Sequence, residues 1–464
     1  RLVLVEVAVF HTLRVVSPFF FPFFFVFEHS SIMAPKTPQV MPPLPSEALQ
    51  NKDNVPLQKA KREPCVFTIN GAEYDVSAWV DQHPGGEAIL RQYHGHDASE
   101  AFRAFHQGSE EAYRRLGNFP SRPLPADRSS SPQTDAPEIV GFQKLKARLE
   151  KDGLFRCNPL WVLYKTVTTV GLYALAVLAL HLDHWVVSMV LLGMAWQQSG
   201  WLGHDYCHQQ NFASQTHNNY FGYVMGNFLQ GFSVIWWKER HNGHHAVTNI
   251  LDADPDSDNL PLFCWTEKDL HNPRTKAARW LLRYQAWYFV PLFCPMLRII
   301  WLLQSAFFVK DLHKHTNKFY LRFATIEKIS LIGHYAWVFG LYLVYADRFP
   351  NVAAMFLHLF VAQCIAGFGI AITVFMNHYA CPFEDKDAMT NLNFVRMQLQ
   401  SSRNIAPGYL SDWYTGGLSY QIEHHLFPTM PRHNLYKCSK YVKEFCAEYS
   451  IPYQVEGWWG CLKE

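Results

Sequence analysis

Four long apolar stretches dominate the pattern of hydrophobic and polar positions, and each approaches the roughly 20 residues that cross a bilayer as a helix. They cover residues 160–182, 184–203, 330–346 and 352–376. A fifth apolar stretch, residues 286–308, has Pro291, Pro295 and Arg298 in its interior. These residues favour a helix that lies in the membrane plane or is partly buried, because proline interrupts helical hydrogen bonds and charge is costly in lipid. The pattern therefore predicts four spans in two hairpins.

Positive charge gives the two hairpins an orientation. Lysine and arginine precede the first and third spans and follow the second and fourth, whereas the first turn, residues 181–184, contains neither. Arg348 is the only such cation in the second turn. Cytosolic segments carry an excess of these residues, so we expect the open ends of both hairpins in the cytosol.

Residues 64–117 have the pattern of a small folded domain. Strand-like residues flank the turn at Asn70-Gly71, and short helical patterns follow at residues 78–82, 87–93, 98–105 and 110–116. Residues 118–140 are rich in proline and serine, which is typical of an extended linker. The predicted fold class is mixed: a small α+β domain joined to an all-α transmembrane domain, residues 141–464, with further cytosolic or interfacial helices.

Residues 1–63 belong to neither predicted domain. Pro18 and Pro22 interrupt an apolar run, no small-residue cleavage site follows it, and a polar, proline-containing stretch begins at Ala34. We interpret this segment as a disordered leader or an artefact of gene prediction.

Composition excludes several other classes of protein. The net charge of +2 argues against a nucleic-acid partner, which would require a clustered basic face. Ten cysteines occur without a CxxC pair, so neither a disulfide framework nor a zinc ribbon is indicated. Reduced thiols that face the cytosol are the simpler interpretation.

Two histidines of the small domain are spaced for a haem b iron. His83 begins the sequence His-Pro-Gly-Gly, and His106 lies 23 residues later. Helical turns at such a spacing can present one neutral imidazole to each side of the macrocycle, and Gly85 and Gly86 let the backbone approach it. An iron with two axial ligands transfers single electrons and does not activate oxygen. The alternative is that the motif only ends a helix and His106 is a surface residue.

Three clusters of histidine and glutamine predict a metal centre with two ions. Their members are three or four residues apart, so on a helix they share one face. Imidazole alone does not identify the metal, but an upstream haem and membrane spans favour redox-active iron. The clusters comprise His204 and His208; His241, His244 and His245; and Gln421, His424 and His425.

Other residues near these clusters have two interpretations each. His378, at the cytosolic end of the fourth span, is either a further ligand, which we favour, or a headgroup-level histidine. Cys207 is not expected to bind metal beside an oxygen-activating centre. The acidic residues after the second cluster could form a solvated turn or could accept hydrogen bonds from metal-bound imidazoles. They are Asp252, Asp254, Asp256 and Asp258, and Glu423 beside His424 is a similar candidate for the hydrogen-bonding role.

These motifs together resemble the front-end fatty acid desaturases, which fuse an N-terminal cytochrome b5 domain to a membrane desaturase. The resemblance covers about residue 64 to the C-terminus, and residues 420–435 look like invertebrate delta-5 and delta-6 enzymes. In that family glutamine at the position of Gln421 marks the front-end group. The resemblance implies two non-haem iron ions, an acyl-CoA or phospholipid acyl substrate, and the endoplasmic reticulum membrane.

The implied chemistry is oxygen-dependent desaturation of polyunsaturated acyl chains. Molecular oxygen is the co-substrate, and electrons come from NADH through a separate cytochrome b5 reductase, since no dinucleotide-binding glycine motif is evident. The linker would keep the haem domain at a high effective concentration. Delta-5 against delta-6 regioselectivity depends on channel shape, which cluster spacing does not determine.

Three other functions would differ from desaturation of fatty acyl chains in their product, their substrate or their histidines. A cytochrome b5-fused lipid hydroxylase would form hydroxy acids, and a sphingolipid delta-8 desaturase would act on another carrier. A non-enzymatic haem electron carrier predicts missing cluster histidines, and none is missing.

Overall fold

The computed structural model describes residues 63–125, 136–257, 263–266 and 276–463. Residues 61–464 form one compact unit. Residues 1–62 of the predicted leader and residues 126–135 of the predicted linker lie outside the described residues.

The small domain contains a three-stranded antiparallel sheet. Its strands, in the order β1-β2-β3, are β1 Val66–Ile69, β2 Ala72–Asp75 and β3 Ser121–Pro123. Asn70 and Gly71 have φ values of 53° and 73°, as a two-residue hairpin turn requires, which confirms the predicted hairpin. The third strand lies within the predicted linker, 118–140, because an extended segment with proline suits a sheet edge.

Short helices complete this domain close to their predicted positions. Ser109 caps the last of them by accepting a hydrogen bond from the Ala112 amide. The segments are a 3₁₀ turn Val80–Gln82, α1 Glu87–Gln92, α2 Ser99–Phe105 and α3 Glu110–Leu116.

Helix α4, Pro137–Lys151, also begins inside the predicted linker. Proline is favourable in a first helical turn, where its missing N–H is not needed. The buried residues Ile139, Phe142 and Leu149 form an apolar stripe along one side of the helix. The described linker ends are therefore structured, and the linker is shorter than the composition predicted.

Two helical hairpins form the membrane part. The first consists of α5 Pro159–His181 and α6 Trp185–Cys207. Between the hairpins lie α7 Gln215–Gly222, a π-helical turn Tyr223–Gln230, α8 Val234–Ala246, α9 Lys276–Leu282, α10 Gln285–Tyr288, a π-helical turn Phe289–Phe293 and α11 Cys294–Asp311. The second hairpin consists of α12 Lys318–Val344 and α13 Val352–His378. Arg348 Nη1 lies 3.2 Å from Asp183 Oδ1, so the two turns meet.

Three helical stretches of the described chain are long and apolar enough to cross a membrane: Pro159–His181, Gln285–Lys314 and Val352–His378. The other two predicted spans, α6 and α12, are continuous helices of 23 and 27 residues, about 35–40 Å long. Polar residues lower their apolar character, among them Gln197 and Gln198 in α6 and Glu327 and Lys328 in α12.

The stretch Gln285–Lys314 returns to the side from which it enters. Phe289 packs against Phe375, one turn before the end of α13, with ring centroids 4.8 Å apart. At the other end Leu312 is buried with Tyr320, near the start of α12. Both ends therefore lie at the open ends of the hairpins, in agreement with the predicted partly buried helix, although length and composition alone would permit a span.

The remaining elements follow α13 at the open ends of the hairpins. They are α14 Ala388–Asn391, α15 Phe394–Gln400, β4 Asn404–Ile405, α16 Tyr409–Tyr414, α17 Gln421–Leu426, α18 Leu435–Glu448, β5 Val455–Glu456 and α19 Trp458–Lys463. β4 and β5 form a short parallel pair.

One apolar core joins the small domain to these helices. Ile69 and Ala104 of the small domain belong to the same buried cluster as Ile250, Val395 and Phe427. The small domain is therefore packed against the rest of the chain, in addition to the linker that the sequence predicted.

Candidate metal centre and haem site

Four helices bring the histidine clusters together. His204 and His208 lie at the end of α6 and His378 lies at the end of α13. The second cluster lies on α8, which begins at the capping residue Ser233, and the third cluster lies on α17. Every predicted histidine of the three clusters, together with His378, lies in one of two groups of converging ring nitrogens.

The first group contains five histidines. One ring nitrogen of each lies within 4.8 Å of the corresponding atom of every other member. The members are His204, His208, His241, His245 and His424. All are buried except His241, which is partly buried, so the group forms an enclosed pocket of nitrogen donors.

The second group contains His244, His378 and His425, again within 4.8 Å of one another. His244 Nε2 and His378 Nε2 are 3.4 Å apart. The side-chain nitrogen of Gln421 lies 2.8 Å from His378 Nε2, so this residue adjoins the second group and not the first.

The orientation of the Gln421 amide follows from its neighbour Asn377. Asn377 Nδ2 donates to the Leu418 carbonyl at 2.9 Å and to Gln421 Oε1 at 3.0 Å. The Leu418 carbonyl can only accept a hydrogen bond, so the side-chain NH₂ of Asn377 faces it. The side-chain oxygen of Gln421 then faces the same NH₂. In this arrangement Gln421 presents N–H to the second group, and its role as a metal ligand stays a prediction.

Hydrogen bonds fix the rings of the second group through their other nitrogens. His244 Nδ1 donates to Asp254 Oδ2 at 2.9 Å, and His378 Nδ1 donates to the Ser401 carbonyl at 2.9 Å. His425 Nδ1 donates to Gln398 Oε1 at 2.8 Å. In each case Nδ1 is occupied by this bond, so Nε2 is the nitrogen that faces the other rings of the group, as a metal-binding imidazole requires.

Several buried histidine nitrogens have no hydrogen-bond partner among the described residues, as expected of atoms that bind metal. The Nε2 atoms of His204, His208, His424 and His425 are buried without a hydrogen-bond partner among the described residues. Such an atom costs about 1–3 kcal/mol, so the three that converge in the first group indicate an ion that they bind. Burial lowers the pKa of His424 to about 3, which leaves its ring neutral at pH 7, the form that binds metal.

The two predicted haem ligands face each other in the small domain. The ring centroids of His83 and His106 are 6.2 Å apart, which leaves room for one metal atom bonded to both at about 2 Å. His83 Nδ1 donates to the Gly86 carbonyl and His106 Nδ1 donates to the Phe102 carbonyl, both at 2.9 Å. Burial lowers the pKa of His83 to about 4, so the ring is neutral at pH 7.

Two family models match this chain. The fatty acid desaturase model matches residues 142–457, and the model of the cytochrome b5-like haem/steroid binding domain matches residues 50–124. The chain belongs to the fatty acid desaturase family.

Relatives of this desaturase cover most of both chains. The Delta(8)-fatty-acid desaturase of Euglena gracilis is 40% identical over 82% of this chain and 88% of the relative. The Delta(6)-fatty-acid desaturase fat-3 of Caenorhabditis elegans is 38% identical over 81% of this chain and 89% of the relative. The Delta(5) fatty acid desaturase fat-4 of the same organism is 34% identical over 87% and 95%.

The predicted resemblance is confirmed: this enzyme is a front-end fatty acid desaturase with a fused cytochrome b5 domain. It is an oxidoreductase that introduces double bonds. The two families imply haem, a di-iron centre with O₂, a lipid acyl substrate and association with a membrane.

Among the predicted acidic residues, Asp254 and Glu423 have different kinds of partner. Asp254 accepts a hydrogen bond from His244, which is the second of the two roles considered for these acidic residues. Glu423 instead accepts from Asn404 Nδ2 at 2.9 Å and from Tyr453 Oη at 2.7 Å, without a hydrogen bond to a histidine among the described residues. Asp258 lies outside the described residues.

Sequence reasoning missed Gln398, Ser401 and Asn377 as partners of the site. Gln398 and Ser401 are more than twenty residues from the rings that they orient, and neither lies in a recognisable motif. Asn377 precedes His378 directly, but its amide acts on Gln421, across the fold. Cys207 packs in an apolar cluster with Tyr223 and Phe232.

Proposed function

We propose that this desaturase adds a front-end double bond to polyunsaturated fatty acyl chains, at the delta-6 or delta-5 position, in the endoplasmic reticulum membrane. Its haem and metal sites face the cytosol. The observation that carries the proposal is the division of eight histidines into two converging groups beside a haem domain. The carrier of the acyl chain is coenzyme A or a phospholipid.

The eight histidines hold two iron ions in this proposal. One ion binds to the group of five and the other binds to the group of three. Two irons bound there would supply the oxidising power, derived from O₂, that removes hydrogen from two adjacent methylene carbons. Gln421 adjoins the second ion, with its side-chain nitrogen 2.8 Å from His378 Nε2.

The protein orients the neutral imidazole rings and keeps water away from them. The Asp254 carboxylate holds His244, and the Gln398 amide oxygen holds His425. His245 and Gln421 are buried, so solvent has little access to the metal-facing atoms. Exclusion of water protects a strong oxidant from side reactions.

A haem bound in the small domain would supply electrons one at a time. Each turnover consumes one O₂, two electrons and two protons, and releases two water molecules with the unsaturated chain. NADH supplies the electrons through a separate cytochrome b5 reductase. His83 and His106 would hold the haem from two sides, and a haem held so would supply electron transfer and not oxygen activation.

A delta-8 position is the second candidate. The Euglena gracilis relative, at 40% identity, carries the name of a Delta(8)-fatty-acid desaturase. The Caenorhabditis elegans relatives named for delta-6 and delta-5 activities are 38% and 34% identical, so identity alone does not separate the three positions.

Expression of the chain in a yeast that lacks polyunsaturated acids tests the function. Eighteen- and twenty-carbon polyenoic acids are fed separately, and mass spectrometry maps the new double bonds. A new bond on the carboxyl side of the existing ones supports the proposal, and its position separates delta-5, delta-6 and delta-8. Hydroxy acids, or no product despite an intact haem spectrum, would contradict it.

A further inference from the structure

The haem domain is fixed against the helix that carries the second histidine cluster. Tyr93 Oη donates to the Ala246 carbonyl at 2.8 Å, next to His245 in the chain. Gln92 Nε2 donates to the Ala253 carbonyl at 2.7 Å. Both bonds join the small domain to the segment that carries metal-facing histidines, and the Tyr93 bond is buried.

The loop of the haem ligand His83 is held from another direction. Asn317 Nδ2 donates to the His83 carbonyl at 3.0 Å, and Lys318 Nζ lies 3.0 Å from Asp81 Oδ2. These contacts come from the start of α12, and those of Tyr93 come from the end of α8. Contacts from two elements fix the position and the angle of the domain relative to the metal centre.

Within this arrangement one aromatic side chain lies between the two sites. Phe105 directly precedes the haem ligand His106. Its ring meets the ring of His245 edge to face, with centroids 6.3 Å apart and an interplanar angle of 82°. His245 belongs to the group of five converging histidines.

Two other aromatic side chains beside the haem ligands, Phe102 and Trp79, contact rings within the haem domain. Phe102 stacks on His106 but its further ring neighbour is Tyr113, within the same domain. Trp79 contacts His83 and Phe119, again within the domain. In the part of the chain that the structure describes, Phe105 alone makes a ring contact from the haem domain to a histidine of the metal centre.

We propose that Phe105 is the bridge through which electrons pass from the haem site to the metal centre by way of His106 and His245. This inference rests on the proposed function, because it requires both sites to hold iron. In each transfer the ferrous haem iron is oxidised to ferric and the metal centre gains that one electron. No bond forms or breaks, and two transfers with NADH as the source supply one turnover.

Stopped-flow absorbance of the full-length enzyme measures this step directly. The haem is reduced by NADH and cytochrome b5 reductase without oxygen, and its reoxidation is followed after mixing with O₂ and acyl substrate. Phe105→Leu removes the ring and keeps an apolar side chain, whereas Phe105→Trp keeps an aromatic ring. Phe119→Leu is the matched control, since Phe119 packs on Trp79 within the haem domain.

We expect Phe105→Leu to slow haem reoxidation by about tenfold or more, because small changes in the path between reacting centres carry large rate penalties. Phe105→Trp and Phe119→Leu should retain reoxidation within about twofold. The reduced and oxidised haem spectra should be unchanged in all three variants. Wild-type reoxidation in Phe105→Leu would overturn the inference.

The outcomes separate this inference from the proposed function. A wild-type enzyme that forms no double bond contradicts the function itself. A wild-type enzyme that forms product, with a Phe105→Leu variant that reoxidises its haem normally, contradicts only the bridge. If Phe105→Leu loses haem, Phe105→Trp decides: slow reoxidation in that variant, with a normal spectrum, contradicts a role for the aromatic ring.

Discussion

At the scale of single residues, each metal-facing side chain of the second group depends on one partner behind it. Asp254 accepts from His244, the Ser401 carbonyl accepts from His378, and Asn377 sets the Gln421 amide. Such partners orient a ring and raise its basicity without touching the metal. The site can therefore be impaired while all of its histidines are intact.

Gln421→Ala is expected to lower product formation by about 10- to 100-fold or more, since it removes the N–H that faces the second group. Gln421→Glu should fail as well, because a carboxylate donates no N–H. Product analysis in yeast measures both, with an unchanged haem spectrum as the sign of an intact fold. Gln304→Ala, on the exposed side of α11, is the control. Full activity in Gln421→Ala would remove this residue from the site.

Asp254→Asn is expected to reduce non-haem iron content or activity by about 10- to 100-fold, because a neutral amide oxygen raises the basicity of His244 less than the carboxylate does. Asp252→Asn is the matched control: Asp252 is exposed, and asparagine tolerates its φ of 61°. Iron analysis of the two purified proteins gives the comparison. Equal iron in both would show that Asp254 only shapes the turn.

At the scale of elements, helix α8 carries histidines of both metal groups and lies beside the haem loop. His241 and His245 are four residues apart and join the first group, whereas His244 joins the second. A Cβ at Gly86 would come within 2.9 Å of Tyr320 Oη on α12, whereas a Cβ at Gly85 would come within 2.8 Å of the His83 ring. The haem loop approaches α12 closely because Gly86 carries no side chain.

Gly86→Ala should therefore weaken haem binding. Gly86 has φ 99° and ψ 157°, a conformation nearly restricted to glycine, so alanine costs about 1–3 kcal/mol. Gly95→Ala is the comparison, because Gly95 has φ 81° but open space around it. Haem absorbance per protein should fall more in Gly86→Ala than in Gly95→Ala. Equal haem content would show that the approach to Tyr320 does not matter.

The helical period explains which part of the site could be predicted. Residues four apart lie about 40° apart around a helix, so the pairs His204/His208 and His241/His245 each share a group. The adjacent His424 and His425 point about 100° apart and fall into different groups. Motifs and apolar runs thus predicted the helices and the donors. The contact of Phe105 with His245 joins distant segments and leaves no pattern in the sequence.

At the scale of the whole molecule, every redox site lies at the open ends of two hairpins. The turns at the other ends meet through Arg348 and Asp183. The haem domain shares a buried apolar core with the desaturase domain, including Val80 and Ala101 on one side and Ile422 on the other. Electron transfer in such an arrangement needs no encounter between separate bodies.

Haem reoxidation should therefore depend little on ionic strength. A mobile domain that docks by charge would slow as salt rises from about 0.01 to 1 M, where the screening length falls from about 30 to 3 Å. A domain held by a buried core and by the Tyr93 bond should change by less than about twofold. Stopped-flow rates across this range provide the test, and a steep fall with salt would indicate a domain that dissociates between transfers.

The ratio of non-haem iron to haem in the purified full-length enzyme tests the account most directly. Two groups of converging histidines beside one pair of haem ligands predict two non-haem irons for each haem. Elemental analysis combined with haem absorbance gives this ratio. A ratio of one in fully loaded protein, or zinc in place of iron in an active enzyme, would contradict the account.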